Sequence, residues 1–260
     1  MALPRSLRVV AVGLELHFKI LSRSPFDLWI VLATPLIFST LAYFLFTTDG
    51  DPGALFVAAL ASAVMGIWSS TTAAGAGALR RQRRLGVLEL LVASPAPFGA
   101  VVLPITLALS TIGIYSFVAG VAYVRLLFGV TPDVADWVAF GAAIPATIIS
   151  LGFFGFLLTA ALVRYRSAFM IGNLLEWPVW TLSGLLVPVA LLPGWAHPMS
   201  WLVAPTWGMR ALRGATLGTG QPWLDIGMCA AVSVFYGAVA VLLLRWFVRS
   251  AREHATLGLA

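Results

Sequence analysis

Glu176 is the residue from which chemistry in this chain is most directly reasoned. It stands inside the apolar stretch 168–192, ten residues after Arg166. At ~1.5 Å of rise per residue, that puts it about 15 Å along a helix. An ionisable group at such depth in a bilayer is costly and by default marks a polar pathway. The competing reading is a carboxyl held structurally by Asn173 or by a neighbouring helix. Trp177 and Trp180 flank it; they either pave a surface for apolar or aromatic molecules or pack as ordinary core. If Glu176 serves passage, Glu176→Gln should impair transport while leaving insertion normal.

Other chemistries need residues the chain lacks. A phosphate-binding Walker loop places lysine after glycine. The single lysine is Lys19, in His17-Phe18-Lys19-Ile20, so the chain is not its own P-loop ATPase. His17, His197 and His254 fall in interfacial or terminal segments, and no serine sits in a Gly-x-Ser-x-Gly elbow. No His-Glu-x-x-His helix is present for zinc hydrolysis. The lone Cys229 permits neither an internal disulfide nor a cysteine-built metal site. These absences argue against an enzyme and against a cofactor or metal bound by this chain.

The elements that must position Glu176 are membrane helices. The 260 residues are 60% hydrophobic and 10% charged, with mean hydropathy +0.97. A soluble domain carries about 25% charged residues. The apolar runs are long and uninterrupted rather than alternating, which argues against a β-barrel. The formal charge of +6 does not point to nucleic acid, because the arginines cluster at the ends of apolar runs.

Roughly 20 apolar residues cross a bilayer core, and six stretches qualify: 28–46, 53–79, 98–124, 137–163, 168–192 and 226–248. Pro35 predicts a kink in the first, and Glu176 and Pro178 interrupt the fifth. Ser69, Ala73 and Gly77 lay a small-residue stripe on the second, suited equally to packing within one subunit or between two. Ahead of the first span, Leu7, Val10, Leu14, Phe18 and Leu21 recur at three- and four-residue spacing. Arg8, Glu15 and Lys19 occupy another face, so 1–24 reads as an amphipathic helix at the membrane surface. A poorly ordered tail is the alternative. Glu15 and Lys19 also interrupt what a secretory signal peptide would need. Segment 193–224 holds Pro193, Pro198, Pro205 and Pro222 with Trp195, Trp201, Trp207 and Trp223. It is too broken to span and reads as short re-entrant helices with tryptophans at headgroup level.

Six spans put both termini on one side. That side then carries thirteen basic residues, leaving Arg125, Arg210 and Arg213 on the other. The bias orients the termini and the 80–97 elbow toward the cytoplasm. Arg80, Arg81, Arg83 and Arg84 explain the topology of that elbow. They do not explain Gly86, then Leu88, Leu90 and Leu91 around Glu89, then Ser94-Pro95, a short amphipathic helix with a sharp stop.

At these residues the chain resembles the membrane subunits of ATP-binding cassette exporters of the second class, which move drugs, polysaccharides and lipo-oligosaccharides. Their cytoplasmic segment between spans two and three has the form Gly-Thr-Leu-Glu followed by Ser/Thr-Pro. Here it reads Gly86-Val87-Leu88-Glu89 and Ser94-Pro95, with valine at the usual threonine. A second match is Ser183-Gly184-Leu185-Leu186-Val187-Pro188, then Leu192-Pro193, Pro205-Thr206-Trp207 and Ala211-Leu212-Arg213. The resemblance implies an all-α integral membrane permease with six transmembrane helices, the N-terminal interface helix, a cytoplasmic coupling helix between spans two and three, and re-entrant extracellular helices between spans five and six. It implies a homodimer, or a pair with a related permease, in a bacterial cytoplasmic membrane. Two copies of a separate ATPase subunit would carry ATP and magnesium and dock at Arg83, Arg84, Gly86, Leu88, Glu89, Leu90, Ser94 and Pro95. The substrate expected is an amphiphilic drug-like or lipid-like molecule, with a lipid-linked glycan or polysaccharide as alternative. A rival from another class is an ion-coupled transporter or channel with its ion site at Glu176.

Overall fold

Every run of regular structure among the described residues is helical, as the long apolar runs predict. The computed structural model describes residues 5–23, 25–46, 52–84, 86, 98–130, 134–163, 165 and 168–254. Helix α1 is Arg5–Ser22, α2 is Pro25–Phe46, α3 is Pro52–Arg84, α4 is Phe98–Ile112, α5 is Ile114–Phe128 and α6 is Trp137–Leu162. Then come α7 (Ala168–Leu182), a single 3-10 turn (Val189–Leu191), α8 (Ala196–Trp201), α9 (Ala204–Leu217) and α10 (Pro222–His254).

The centre of the bundle is α3, which packs against α2, α4, α5, α6, α7 and α9. Its 33 residues make a rod about 50 Å long. From Ala59 to Trp68 every side of it is buried, the signature of a helix apolar all round. Several neighbours reach it because a glycine faces bulk across the contact. A Cβ on Gly66 would lie 2.6 Å from Ser116 Oγ and 3.0 Å from the Pro35 ring. A Cβ on Gly113 would lie 2.6 Å from Ile67. These contacts set α2 and the α4–α5 pair directly onto α3, as small residues do between membrane helices. Gly113 does not end the helix: its N–H donates to Leu109 and its carbonyl accepts from Phe117.

The ends are ordered by aromatic contacts. Tyr43 stacks on Phe128 at 3.8 Å, and Phe56 on Phe140 at 6.4 Å, so the ends of α2 and α5 meet each other, as do the starts of α3 and α6. At the opposite end Phe98 meets Phe247 at 6.5 Å, where α4 starts and α10 finishes. The Arg83–Arg84 end of α3 therefore lies away from the α9 end. Asp136 caps α6, its carboxylate accepting from Val138 N at 3.0 Å and Ala139 N at 2.9 Å.

Among the described residues, three helices are long and apolar enough to cross a membrane: Phe98–Phe128, Trp137–Leu162 and Pro222–Ser250, with Gly53–Ser69 a shorter apolar stretch. Two expected elements come out differently. The run 168–192 is α-helical only to Leu182: the helix passes through Pro178, and Gly184, at φ 79°, then turns the chain away. In α1 the expected face of Val10, Leu14 and Phe18 is half-buried and packs toward α4, with Gly13 against Pro104. A second apolar stripe, Val12, Leu16 and Ile20, is exposed; the sequence pattern alone concealed it beside the Glu15–Lys19 pair, which closes at 2.6 Å.

Candidate functional site

The face of α7 that carries Glu176 also carries Asn173, Trp177 and Trp180, at helical spacings of three and four. Tertiary packing gives the four different surroundings. Trp180 is buried and meets the Phe38 ring of α2 edge-on at 5.2 Å. Trp177 is exposed and lies T-shaped against Trp180 at 5.4 Å. Asn173 is exposed, between Met170, Leu174 and Trp177, themselves exposed. Glu176 is half-buried where α7 leans on α3, and Ser69 Oγ donates a hydrogen bond to its carboxylate.

That pairing decides part of what the sequence left open. The neighbour that holds Glu176 is a hydroxyl on α3, and among the described hydrogen bonds Asn173 makes none to it. Sequence reasoning placed Ser69 in a packing stripe and missed it as the carboxyl's partner. The one available signal was that both are polar residues in the middle of apolar runs. Ala73 and Gly77, the rest of that stripe, lie in the part of α3 whose side chains are outside the described set.

Chemically, a serine-bound carboxyl beside one buried and one exposed indole offers a polar anchor within an aromatic wall. Such a wall suits apolar rings and organic cations, which are attracted to aromatic faces.

The elbow residues are partly in view. Arg83 and Arg84 close the last turn of α3. Gly86 follows at φ 65°, exposed, with nothing within 4 Å of where a Cβ would sit. A left-handed glycine just past a helix end is the usual stop signal. Leu88, Glu89, Leu90, Ser94 and Pro95 lie outside the described residues. Because α3 is unbroken, Ser69 and Arg84 belong to one rod, fifteen residues or about 22 Å apart.

At the other end, the segment 193–224 holds a cluster that sequence reasoning did not assemble. Arg210 and Arg213 entered it only as topology markers. Arg210 Nε lies 3.3 Å from the carboxylate of Asp225 at the start of α10, and its guanidinium sits 4.9 Å from the Trp207 ring. Arg213 is half-buried one turn on, and burial pushes its guanidinium down from the ordinary value. Backbone bonds from Ala135 and Asp136 to Thr216 and Ala215 fasten α9 to the start of α6.

A search of the curated proteins gives no match to the chain. A family model described as ABC-2 type transporter matches residues 12–217. The matched stretch runs from α1 to the last residue of α9, and so takes in both the Glu176 face and the arginine cluster.

Proposed function

Because this chain belongs to the ABC-2 type transporter family, we propose that it is the permease subunit of an ATP-driven exporter. It moves an amphiphilic drug-like or lipid-like molecule out of the cytoplasm, with a separate ATP-binding subunit as motor. The proposal includes six crossings, α2 and α7 among them, with both termini cytoplasmic in a bacterial plasma membrane. It includes a dimer of permeases served by two ATPase copies that hold the ATP and magnesium.

The observation that carries this reading is the continuity of α3. One unbroken helix joins Arg83 and Arg84, the first residues of the expected docking segment, to Ser69, which holds Glu176. A push at the elbow is delivered along the rod to the only contact by which Glu176 is held among the described hydrogen bonds. Rigid-body displacement of a helix past its neighbours is a standard switching movement. The exposed Trp177, Leu174 and Met170 support an apolar or aromatic substrate over a polar glycan.

Reconstituting the chain in proteoliposomes with and without a cognate ATP-binding cassette subunit tests the motor. Export of a fluorescent amphiphile should require that subunit and ATP hydrolysis. Export that persists without hydrolysis, and follows an ion gradient instead, would replace this reading with an ion-coupled carrier.

A further inference from the structure

Between the end of α7, the 3-10 turn, α8 and one face of α9 lies a cavity of about 230 Å³. A water in the liquid occupies about 30 Å³, so the space admits a group of several heavy atoms. From α9 it is lined by Thr206, Met209, Arg210 and Arg213, at the spacing of a single helix face. Ser183 and Ser200 line it from the other side.

Its charge is unbalanced. Arg210 and Arg213 stand three residues apart on one helix, an arrangement that is itself repulsive. Asp225 pairs with Arg210. Among the described residues no carboxylate pairs with Arg213, although it is half-buried. Charged groups removed from water are ordinarily paired.

Thr206 adds a second observation. Its side chain is 1% exposed and its Oγ1 has no hydrogen-bond partner. Elsewhere in the bundle, helical threonines return their hydroxyl proton to the carbonyl four residues back, as Thr71 does to Ile67, Thr147 to Ala143 and Thr216 to Leu212. For Thr206 that residue is Leu202, which precedes α9, and its carbonyl accepts from the Tyr236 hydroxyl of α10. A buried donor is thus left idle on the same wall as a cation without a carboxylate.

We propose that this cavity binds a phosphate group, with Arg213 and Arg210 as the cationic clamp and the Thr206 hydroxyl as a neutral donor. Guanidinium groups present paired donors that match phosphate oxygens. Trp201 lines the cavity and is exposed, and the 3-10 turn and α8 that border it carry further exposed apolar side chains in Leu191 and Met199. Tryptophan collects at the headgroup level of a bilayer. The phosphate can therefore arrive on an anionic lipid headgroup or as the free ion, through the same contacts.

Native mass spectrometry of the purified full chain tests this with two lipid probes, phosphatidylglycerol against the phosphate-free diacylglycerol, and inorganic phosphate as competitor. Phosphatidylglycerol should bind in preference, and Arg213→Gln and Thr206→Val should each weaken it about tenfold, the scale of one lost hydrogen bond to a charged group. Thr206→Val keeps the side-chain shape and removes an unpartnered hydroxyl, so its thermal midpoint should not fall. It thereby separates lost binding from lost folding. Competition by inorganic phosphate would identify a site open to the free ion; preference for phosphatidylglycerol without competition would identify a headgroup site. Equal retention of both lipids with no effect of phosphate, or undiminished phosphatidylglycerol binding in both variants, would overturn the proposal.

Discussion

Separating Ser69 from Glu176 is the most informative perturbation of this chain. The two side chains come from helices 107 positions apart in sequence and meet through one hydrogen bond. Ser69→Ala removes the donor and leaves a half-buried carboxyl short of a partner, at a cost of about 1–3 kcal/mol. Glu176→Gln preserves volume and an acceptor oxygen, so it should cost less than ~1 kcal/mol. In a double-mutant cycle of Ser69→Ala with Glu176→Leu, which removes the acceptor that glutamine keeps, the coupling should be about 1.5–3 kcal/mol if the carboxyl is ionised, and about 0.5–1.5 kcal/mol if it is protonated. In a chain of this size each kcal/mol moves the unfolding midpoint by roughly 2–4 °C. The assay pairs thermal unfolding in detergent with export of an amphiphilic dye by the ATPase-loaded complex. Glu176→Gln should unfold near the unmodified midpoint yet export slowly. Ser69→Ala should lose both stability and export. A Glu176→Gln protein that exports at the full rate, together with negligible coupling to Ser69, would refute the reasoning that this contact joins the α3 rod to the pathway.

Three further outcomes follow from the packing and the elbow. Gly155→Ala should destabilise by about 1–3 kcal/mol, since its Cβ would stand 2.5 Å from Thr71 Cγ2, a fully buried side chain; Gly141→Ala, with nothing within 4 Å, should leave the unfolding midpoint unchanged or raise it. Asp136→Ala should lower the midpoint by the equivalent of about 1 kcal/mol while Asp136→Asn retains most of the cap, measured by the same thermal scan. Glu89→Arg should weaken co-purification of the ATP-binding subunit with membrane insertion intact, and undiminished co-purification would reduce the elbow to a topology signal.

The sequence by itself determined the kind of molecule. Hydropathy is a local sum along the chain, so long apolar runs dictate helices and a membrane setting whatever their neighbours are. The family likewise follows from short contiguous stretches, Gly86–Glu89 and Ser183–Pro188, that are readable in order. The Asn173–Trp180 face was legible as a helical stripe because it depends only on spacing, whereas the helices run on through Pro35 and Pro178.

What only the tertiary structure decided is which side chains meet between helices. Nothing within 168–192 says that Glu176 is held by Ser69, or that Trp180 is covered by Phe38 while Trp177 is left bare. Nothing local says that Tyr236 bonds to the Leu202 carbonyl and that the Thr206 hydroxyl is left without a partner on the same cavity wall as Arg213. Those partners depend on how closely two helices approach, and here that distance is set by glycines such as Gly66, Gly113 and Gly155, each fitted to bulk on another helix. Close approach is a property of matched surfaces far apart in the chain, which is why the positions of the polar contacts emerge only when the bundle is assembled.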